Sequence, residues 1–229
     1  MVNFIAGRHL RIFFSLLYLH ISQKCCIFAA LYCIMKTPII YIAVFVSGEG
    51  TTLQALLDGQ GARHYQVALV VANRECGALG RAIKAGAPTL LSCDWKEITG
   101  RLQEVGIGLI VLAGYLAIIP GAVCEQWEGR MINTHPSLLP KFGGKGMYGM
   151  RVHEAVLAAG ERETGCTVHY VSSAVDGGEV IEQARVPVRM DDTPATLAAR
   201  VQAAERQLLP EVVERVVNLN YEGVGIYKL

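Results

Sequence analysis

The chain has 229 residues, 52% of them apolar, and this size suits one well-packed domain better than two large ones. Its 21 basic and 20 acidic side chains nearly balance, so no broad basic surface is available for non-specific binding to nucleic acid. Seven cysteines form no Cys-x-x-Cys pair, which argues against a disulfide framework or a zinc site. We therefore expect a cytoplasmic protein with small-molecule ligands, no metal, and no nucleic-acid or membrane partner. The oligomeric state stays open.

Residues 1–34 form an apolar leader that differs from the rest of the chain. Its two apolar runs are each shorter than the roughly 20 residues that span a bilayer. Arg8 and Arg11 precede an apolar stretch as in a signal peptide, but no small-x-small cleavage site follows. We interpret the leader as a start-site artefact or a disordered segment, with translation beginning at Met35. Export or anchoring is the alternative. We expect residues 35–229 to form a single domain.

Short β-branched runs alternate with segments of helical period from residue 38 onward, which predicts a βαβ fold with a parallel sheet. The most continuous apolar run predicts a central strand, because parallel strands are covered on both faces. In chain order we expect strand 39–46, a helix over 52–57, strand 66–72, helix 80–85, strand 89–92, helix 95–105, strand 107–112 and strand 131–133.

The sequence changes character after residue 133. The elements expected there are loop 135–146, helix 152–159, strands 166–171 and 180–188, and helix 193–217. Asp176-Gly177-Gly178 between the last two strands is a turn signal that predicts an antiparallel pair. Thr193 is the expected N-cap of the final helix, with Pro194 at its first position. The expected fold class is α/β, a mostly parallel central sheet flanked by helices with an antiparallel C-terminal strand pair.

Ser47-Gly48-Glu49-Gly50-Thr51-Thr52 lies between the first strand and its helix. Glycines permit a tight turn there, and the helix N-terminus presents unpaired N–H groups, so the segment is a candidate phosphate site. It is neither a Walker A motif nor a full dinucleotide fingerprint. A tight turn that binds no ligand remains the alternative.

The sequence Asn-Thr-His-Pro-Ser-Leu-Leu-Pro at residues 133–140 follows a predicted strand, near the sheet edge where open α/β folds bind ligands. Asn133 can donate to a developing oxyanion, and His135 can move a proton near neutral pH. A rigid loop whose histidine bonds a carbonyl is the alternative. Asp176 becomes catalytic only if the fold brings it beside His135, where a carboxylate favours the protonated ring. His169 either faces the same site or is a partly buried sheet residue.

Together these segments resemble the folate-dependent glycinamide ribonucleotide formyltransferase family. The early Ser-Gly-x-Gly-Ser/Thr-x-Leu-Gln pattern is matched by residues 47–54, Ala-Gly-Tyr by 113–115, Asn-x-His-Pro-Ser-Leu-Leu-Pro by 133–140, and Asp-Gly-Gly by 176–178. The resemblance covers residues 39–210, with the motifs in the family's order. It implies a Rossmann-like formyltransferase fold that binds glycinamide ribonucleotide beside 10-formyltetrahydrofolate. The implied activity is formyl transfer to the ribonucleotide amine in de novo purine synthesis.

The resemblance also implies site residues. Asn133 and a protonated His135 would stabilise the oxyanion, while Asp176 keeps the ring charged and assists proton removal. The implied ribonucleotide contacts are Gly50, Thr51, Thr52, Leu53, Gln54, Gln202 and Glu205. The implied folate contacts are Arg81, Leu116, Ala117, Ile118, Ile119 and Asn133, with no metal. Two departures are Thr52, where the family commonly has Asn, and a long glycine-rich loop at residues 143–150.

Two related enzymes share this formyl-transfer core. Methionyl-tRNA formyltransferase carries a basic C-terminal RNA-binding domain, and formyltetrahydrofolate hydrolase carries an N-terminal regulatory domain; we expect neither domain here. A non-catalytic phosphate- or nucleotide-binding module that uses the glycine turn is an alternative of a different class. It predicts ligand binding without turnover.

Overall fold

The computed structural model describes residues 39–222, with side chains through residue 219. The predictions for residues 1–34 and for a start at Met35 lie outside the described residues. The strands are β1 (Ile40–Val46), β2 (Tyr65–Ala72), β3 (Thr89–Leu91), β4 (Leu109–Leu112), β5 (Met131–His135), β6 (Glu163–Tyr170) and β7 (Val180–Pro187). The α-helices are α1 (Thr51–Gly59), α2 (Gly77–Lys84), α3 (Trp95–Val105), α4 (Gly121–Gln126), α5 (Met150–Ala158) and α6 (Pro194–Glu222).

The seven strands form one sheet in the order β3-β2-β1-β4-β5-β6-β7. Strands β1 to β5 are parallel, whereas β6 pairs antiparallel with both β5 and β7. This arrangement confirms the predicted α/β class and the antiparallel C-terminal pair. The chain turns from one half of the sheet to the other between β1 and β4, which creates a crevice at the carboxyl ends of these strands.

Alternating side chains of the parallel strands build a core on each face of the sheet. In β1, Ile42 and Val44 belong to one apolar cluster, and Ala43 and Phe45 belong to the other. Helices α1, α2, α5 and α6 cover the first face, and α3 and α4 cover the second. Helix α6 thereby lies against α1, β6 and β7, and it brings residues near 205 to the start of α1.

Several boundaries differ from the predicted ones. Strand β5 continues to His135, so this residue lies on the sheet rather than in the predicted loop. Helix α4 was not predicted, because its six residues are too few to display a helical period. The Thr193 hydroxyl accepts a hydrogen bond from Thr196 N–H at 3.2 Å, which confirms the predicted cap.

Within the described part of the chain, no helix combines the length and apolarity that a membrane crossing requires.

Candidate active site

The polar side chains of the site come from the ends of strands at one edge of the sheet. Strand β5 carries Asn133 and His135, and its partner β6 carries His169. In the antiparallel register Asn133 lies opposite His169. The connection from β6 to β7 then brings Asp176 back over the same edge. Residues that lie up to 43 positions apart in the chain therefore meet at one point.

His135 and Asp176 form a buried pair. The distance from His135 Nδ1 to Asp176 Oδ2 is 3.4 Å, and the two side chains are only 5% and 10% exposed. The other carboxylate oxygen, Oδ1, lies 3.7 Å from His169 Nε2. Asn133 Nδ2 lies 3.0 Å from that same histidine nitrogen. The four side chains thus form one continuous polar cluster.

The loop after β5 adds two backbone contacts to this cluster. His135 Nε2 donates to the carbonyl oxygen of Phe142 at 2.8 Å. The backbone N–H of Gly144 donates to Asp176 Oδ2 at 2.8 Å. Both ring nitrogens of His135 therefore face groups of the protein.

Burial and neighbouring charges set the protonation of the pair. Burial lowers the pKa of His135, and the opposing effects of Asp176 and of the Phe142 carbonyl do not offset it. Burial acts to raise the pKa of Asp176, but the contacts with His169, His135 and Gly144 outweigh it and the net pKa is lowered. Burial thus opposes the protonated imidazole that the resemblance implies, whereas the charge of Asp176 favours it.

The glycine turn after β1 has the geometry that its sequence suggests. Gly50 has a φ of 72°, and a Cβ at this position would lie 2.6 Å from the Cβ of Ala78 on α2. No residue except glycine fits there without displacing α2. No side chain caps the N-terminus of α1 in the described structure, and its first N–H groups have no preceding helical turn to bond to, as an anion site requires.

The predicted ribonucleotide contacts occupy different environments. Thr52 is buried, and its hydroxyl donates to Glu205 Oε1 at 3.2 Å, which joins α1 to α6. Gln202 is exposed and lies one turn before Glu205 on α6. Gln54 bonds Asp58 at the surface. Leu53 is 0% exposed and belongs to the core, so its side chain is not available to a ligand.

Ser47 ties the glycine turn to the segment after β4. Its hydroxyl donates to Asn73 Oδ1 at 2.7 Å and accepts from the backbone N–H of Leu116 at 2.8 Å. Leu116 and Ile118 are exposed apolar residues, the latter to 72%, whereas Ile119 packs against the core. The two exposed side chains, with Ala117 between them in the chain, form an apolar surface on the segment that Ser47 joins to the glycine turn.

Arg81 lies on α2 and contacts the glycine turn. Its Nε donates to the carbonyl oxygen of Glu49 at 2.7 Å, and its Nη1 lies 3.4 Å from Gln54 Oε1. With Lys84 it lines a cavity of about 490 Å³ beside the turn. Its described contacts are therefore with the turn and not with residues 116–119. Its predicted contact with folate remains a prediction.

Sequence reasoning gave little weight to three groups at the site. We expected His169 to be a partly buried sheet residue more than a member of the site. Its pairing opposite Asn133 is visible only in the structure. Phe142 and Gly144 contribute backbone atoms to the site. In the sequence, only the Gly-Gly pair at residues 143–144 pointed to these contacts. Among the described residues, no group of three or more His, Cys, Asp or Glu side chains could hold a metal ion.

The sheet order, the glycine turn and the buried His–Asp pair define the class of protein, an α/β fold with a mainly parallel sheet and a polar cluster at the carboxyl edge, where such folds commonly bind ligands. A family model described as formyl transferase matches residues 40–213. The chain belongs to the formyl transferase family.

Named relatives agree with this assignment. The chloroplastic phosphoribosylglycinamide formyltransferase of Vigna unguiculata is 40% identical over 185 residues, which cover 76% of this chain and 59% of that protein. The phosphoribosylglycinamide formyltransferase of Haemophilus influenzae is 35% identical over 185 residues, covering 76% of this chain and 85% of the relative. The crystal structure of phosphoribosylglycinamide formyltransferase from Anaplasma phagocytophilum superposes with a TM-score of 0.74 at 34% identity, covering 79% and 87% of the two chains. This chain thus spans less than two thirds of the Vigna protein but most of the other two.

Proposed function

We propose that this protein transfers the formyl group of 10-formyltetrahydrofolate to the amine of glycinamide ribonucleotide, a step of de novo purine synthesis. The observation that carries the proposal is the buried contact of 3.4 Å between His135 Nδ1 and Asp176 Oδ2, next to the amide of Asn133. Formyl transfer to an amine needs a group that removes a proton and a donor that stabilises an oxyanion. This cluster contains both.

The proposed chemistry is direct attack of the amine on the formyl carbon. A new C–N bond forms, the carbonyl oxygen becomes an oxyanion, and the bond from carbon to the folate nitrogen then breaks. In the proposed step the contact of His135 Nε2 with the Phe142 carbonyl opens, and the neutral ring keeps its proton on Nδ1 toward Asp176. Nε2 then accepts the proton that the amine loses, and this proton ends on the departing folate nitrogen. Asp176 stabilises the imidazolium during the transfer, and Asn133 donates to the oxyanion. No covalent enzyme intermediate is needed.

The two substrates are proposed to bind on either side of this cluster. The ribonucleotide phosphate is placed at the N-terminus of α1, at Gly50, Thr51 and Thr52, with Gln202 and Glu205 contacting the same molecule. The folate ring is placed against the apolar surface of residues 116–119, because a flat aromatic ring gains by covering Leu116 and Ile118. Asn133 is assigned in this proposal to the point where the two substrates meet.

The proposed location is the cytoplasm, and the described cysteines at positions 76, 93, 124 and 166 are all free thiols, as suits a reducing compartment. The proposed partners are small molecules. Binding of nucleic acid is not part of the proposal, and the oligomeric state is left open.

The test is an assay of the full-length chain with glycinamide ribonucleotide and 10-formyltetrahydrofolate, in which formylated ribonucleotide is quantified directly. We expect turnover by the wild type and a decrease of about 100-fold or more in His135→Asn, which keeps a polar side chain but removes the base. His64→Asn, at a half-buried histidine bonded to Glu214 on the far end of α6, is the control and should retain most of the activity.

Three results would reject the proposal in different ways. Loss of the formyl group from the folate without an acceptor product would indicate a hydrolase. Binding of ribonucleotide with no turnover would indicate a non-catalytic binding module. Equal rates in His135→Asn and wild type would remove the imidazole from the mechanism.

A further inference from the structure

The loop between β5 and α5 holds both members of the buried pair through its backbone. The Phe142 carbonyl accepts from His135 Nε2, and the Gly144 N–H donates to Asp176 Oδ2, each at 2.8 Å. That same Oδ2 is the oxygen 3.4 Å from His135 Nδ1. Two positions of one loop therefore contact the two partners of one pair.

Two glycines allow the loop to come this close. A Cβ on Gly143 would lie 2.4 Å from Leu139 Cδ2 and 3.4 Å from the Cβ of Asp176. Gly144 has a φ of 90°, a conformation that L side chains rarely adopt. Phe142, just before them, has a φ of 55°, which costs a non-glycine residue about 1 kcal/mol or more. A costly backbone kept in place by its surroundings is typical of functional segments.

The Asp176 carboxylate has competing neighbours on its two sides. Oδ1 faces His169 at 3.7 Å, and Oδ2 is shared between His135 and the Gly144 N–H. A hydrogen bond from an N–H to a carboxylate is charge-assisted and stronger than a neutral one. Rotation of the carboxylate away from His135 must therefore break the bond to Gly144.

We propose that Gly144 is a positioning residue whose backbone N–H orients the Asp176 carboxylate so that Oδ2 faces Nδ1 of His135. This inference rests on the proposed formyl transfer and extends the proposed machinery to one position, Gly144, of the glycine-rich loop at residues 143–150. It gives that loop a chemical role: its backbone holds the carboxylate that stabilises the imidazolium during proton transfer.

The variant that tests this role is Gly144→Ala, and Gly146→Ala is its matched control. Both glycines have a φ of 90°, and an added Cβ would meet no atom within 4 Å at either position. The two substitutions therefore impose the same kind of backbone strain on the same loop. They differ in that Gly144 donates to Asp176, whereas Gly146 has no hydrogen bond to the pair among the described residues.

Two quantities are measured on the full-length protein. Alanine keeps the backbone N–H, but the strain of a φ of 90° displaces that N–H from Asp176 in Gly144→Ala. We therefore expect kcat for formyl transfer to decrease about 10-fold in Gly144→Ala, as for the loss of one hydrogen bond to a charged group, and by less than about twofold in Gly146→Ala. NMR titration of the imidazole signals, with His135→Asn to identify the His135 resonance, supplies a readout that loop strain alone does not move. The ionisable groups that face His135 are Asp176 on its turn, His169 on β6 and His153 on α5. The His135 midpoint should shift to lower pH in Gly144→Ala alone, because a displaced carboxylate stabilises the imidazolium less.

The results separate positioning from general strain. Equal losses of kcat in both glycine variants, with the His135 midpoint unchanged, would overturn the inference, as would wild-type kinetics and an unchanged midpoint in Gly144→Ala. If the wild type forms no formylated ribonucleotide but the His135 midpoint still shifts in Gly144→Ala alone, the proposed function fails and the positioning contact stands.

Discussion

Glu205 is a buried carboxylate whose replacement should make the protein more stable and less active. It is 9% exposed, and it accepts a hydrogen bond from the Thr52 hydroxyl at 3.2 Å. None of the described ion pairs includes it. Burial therefore raises the pKa of Glu205, and the Thr52 and Thr134 hydroxyls and the charge of Arg206 offset only part of this effect.

The pH dependence follows from the direction of this shift. The pKa of Glu205 is higher in the folded protein than in the unfolded chain, so the native protein binds the proton more tightly. The free energy of unfolding therefore falls as pH rises from the unfolded pKa through the folded pKa. Above the folded pKa, the buried charge lowers the free energy of unfolding by about 1–3 kcal/mol. Glu205→Gln keeps the acceptor for Thr52 and removes the charge. It should raise Tm at pH 8 by about 2–4 °C for each kcal/mol recovered, in a domain of this size.

Thermal melts from pH 5 to pH 8 measure the effect, with Glu211→Gln, an exposed position on the same helix, as the control. The gain in Tm should shrink as pH falls, because wild-type Glu205 then binds its proton. In the activity assay the KM for the ribonucleotide should rise about 10-fold, the loss of one charged hydrogen-bond acceptor. A lower Tm than wild type at pH 8, or a Tm difference that does not change with pH, would refute the reasoning.

Two further substitutions test the glycine turn and its connection to the folate side. Ser47→Ala removes the hydroxyl that accepts from the Leu116 N–H, so the KM for 10-formyltetrahydrofolate should rise about 10-fold with a smaller change for the ribonucleotide. Steady-state kinetics that show equal changes for both substrates would argue against this connection. Gly50→Ala should lower the free energy of unfolding by about 1–3 kcal/mol, since its Cβ would meet Ala78 and its φ is 72°. Gly48→Ala, where an added Cβ meets nothing within 4 Å, should be nearly neutral in the same denaturation experiment, and equal losses in the two variants would contradict the steric explanation.

The sheet could be predicted from the sequence because its strands carry a local signal. In β1 the residues on both faces are apolar, as parallel strands covered on both sides require, and the structure buries Ile42 to Val46 completely. The antiparallel pair was predicted from alternation around a turn signal. Helix α4 could not be predicted, because six residues are too short for a period to appear.

The active-site geometry was less predictable, because it depends on long-range register. Nothing local to Asn133 indicates that it pairs with His169, and the contact between His135 and Asp176 closes a separation of 41 residues in the chain. The lowered pKa of His135 was not predicted, since the sequence suggests the nearby charge of Asp176 but not the depth of burial that outweighs it. The contacts of Phe142 and Gly144 use backbone atoms, which every residue type carries.

The most direct measurement of the central claim is a double-mutant cycle on the pair at the carboxyl edge. The kcat/KM for formylation of glycinamide ribonucleotide would be determined for wild type, His135→Asn, Asp176→Asn and the double variant. If the imidazole and the carboxylate act as one unit, each single change should lower the rate about 100-fold and the double variant should be little worse than either. Losses that multiply to about 10⁴-fold in the double variant would mean independent roles and would contradict the proposed mechanism.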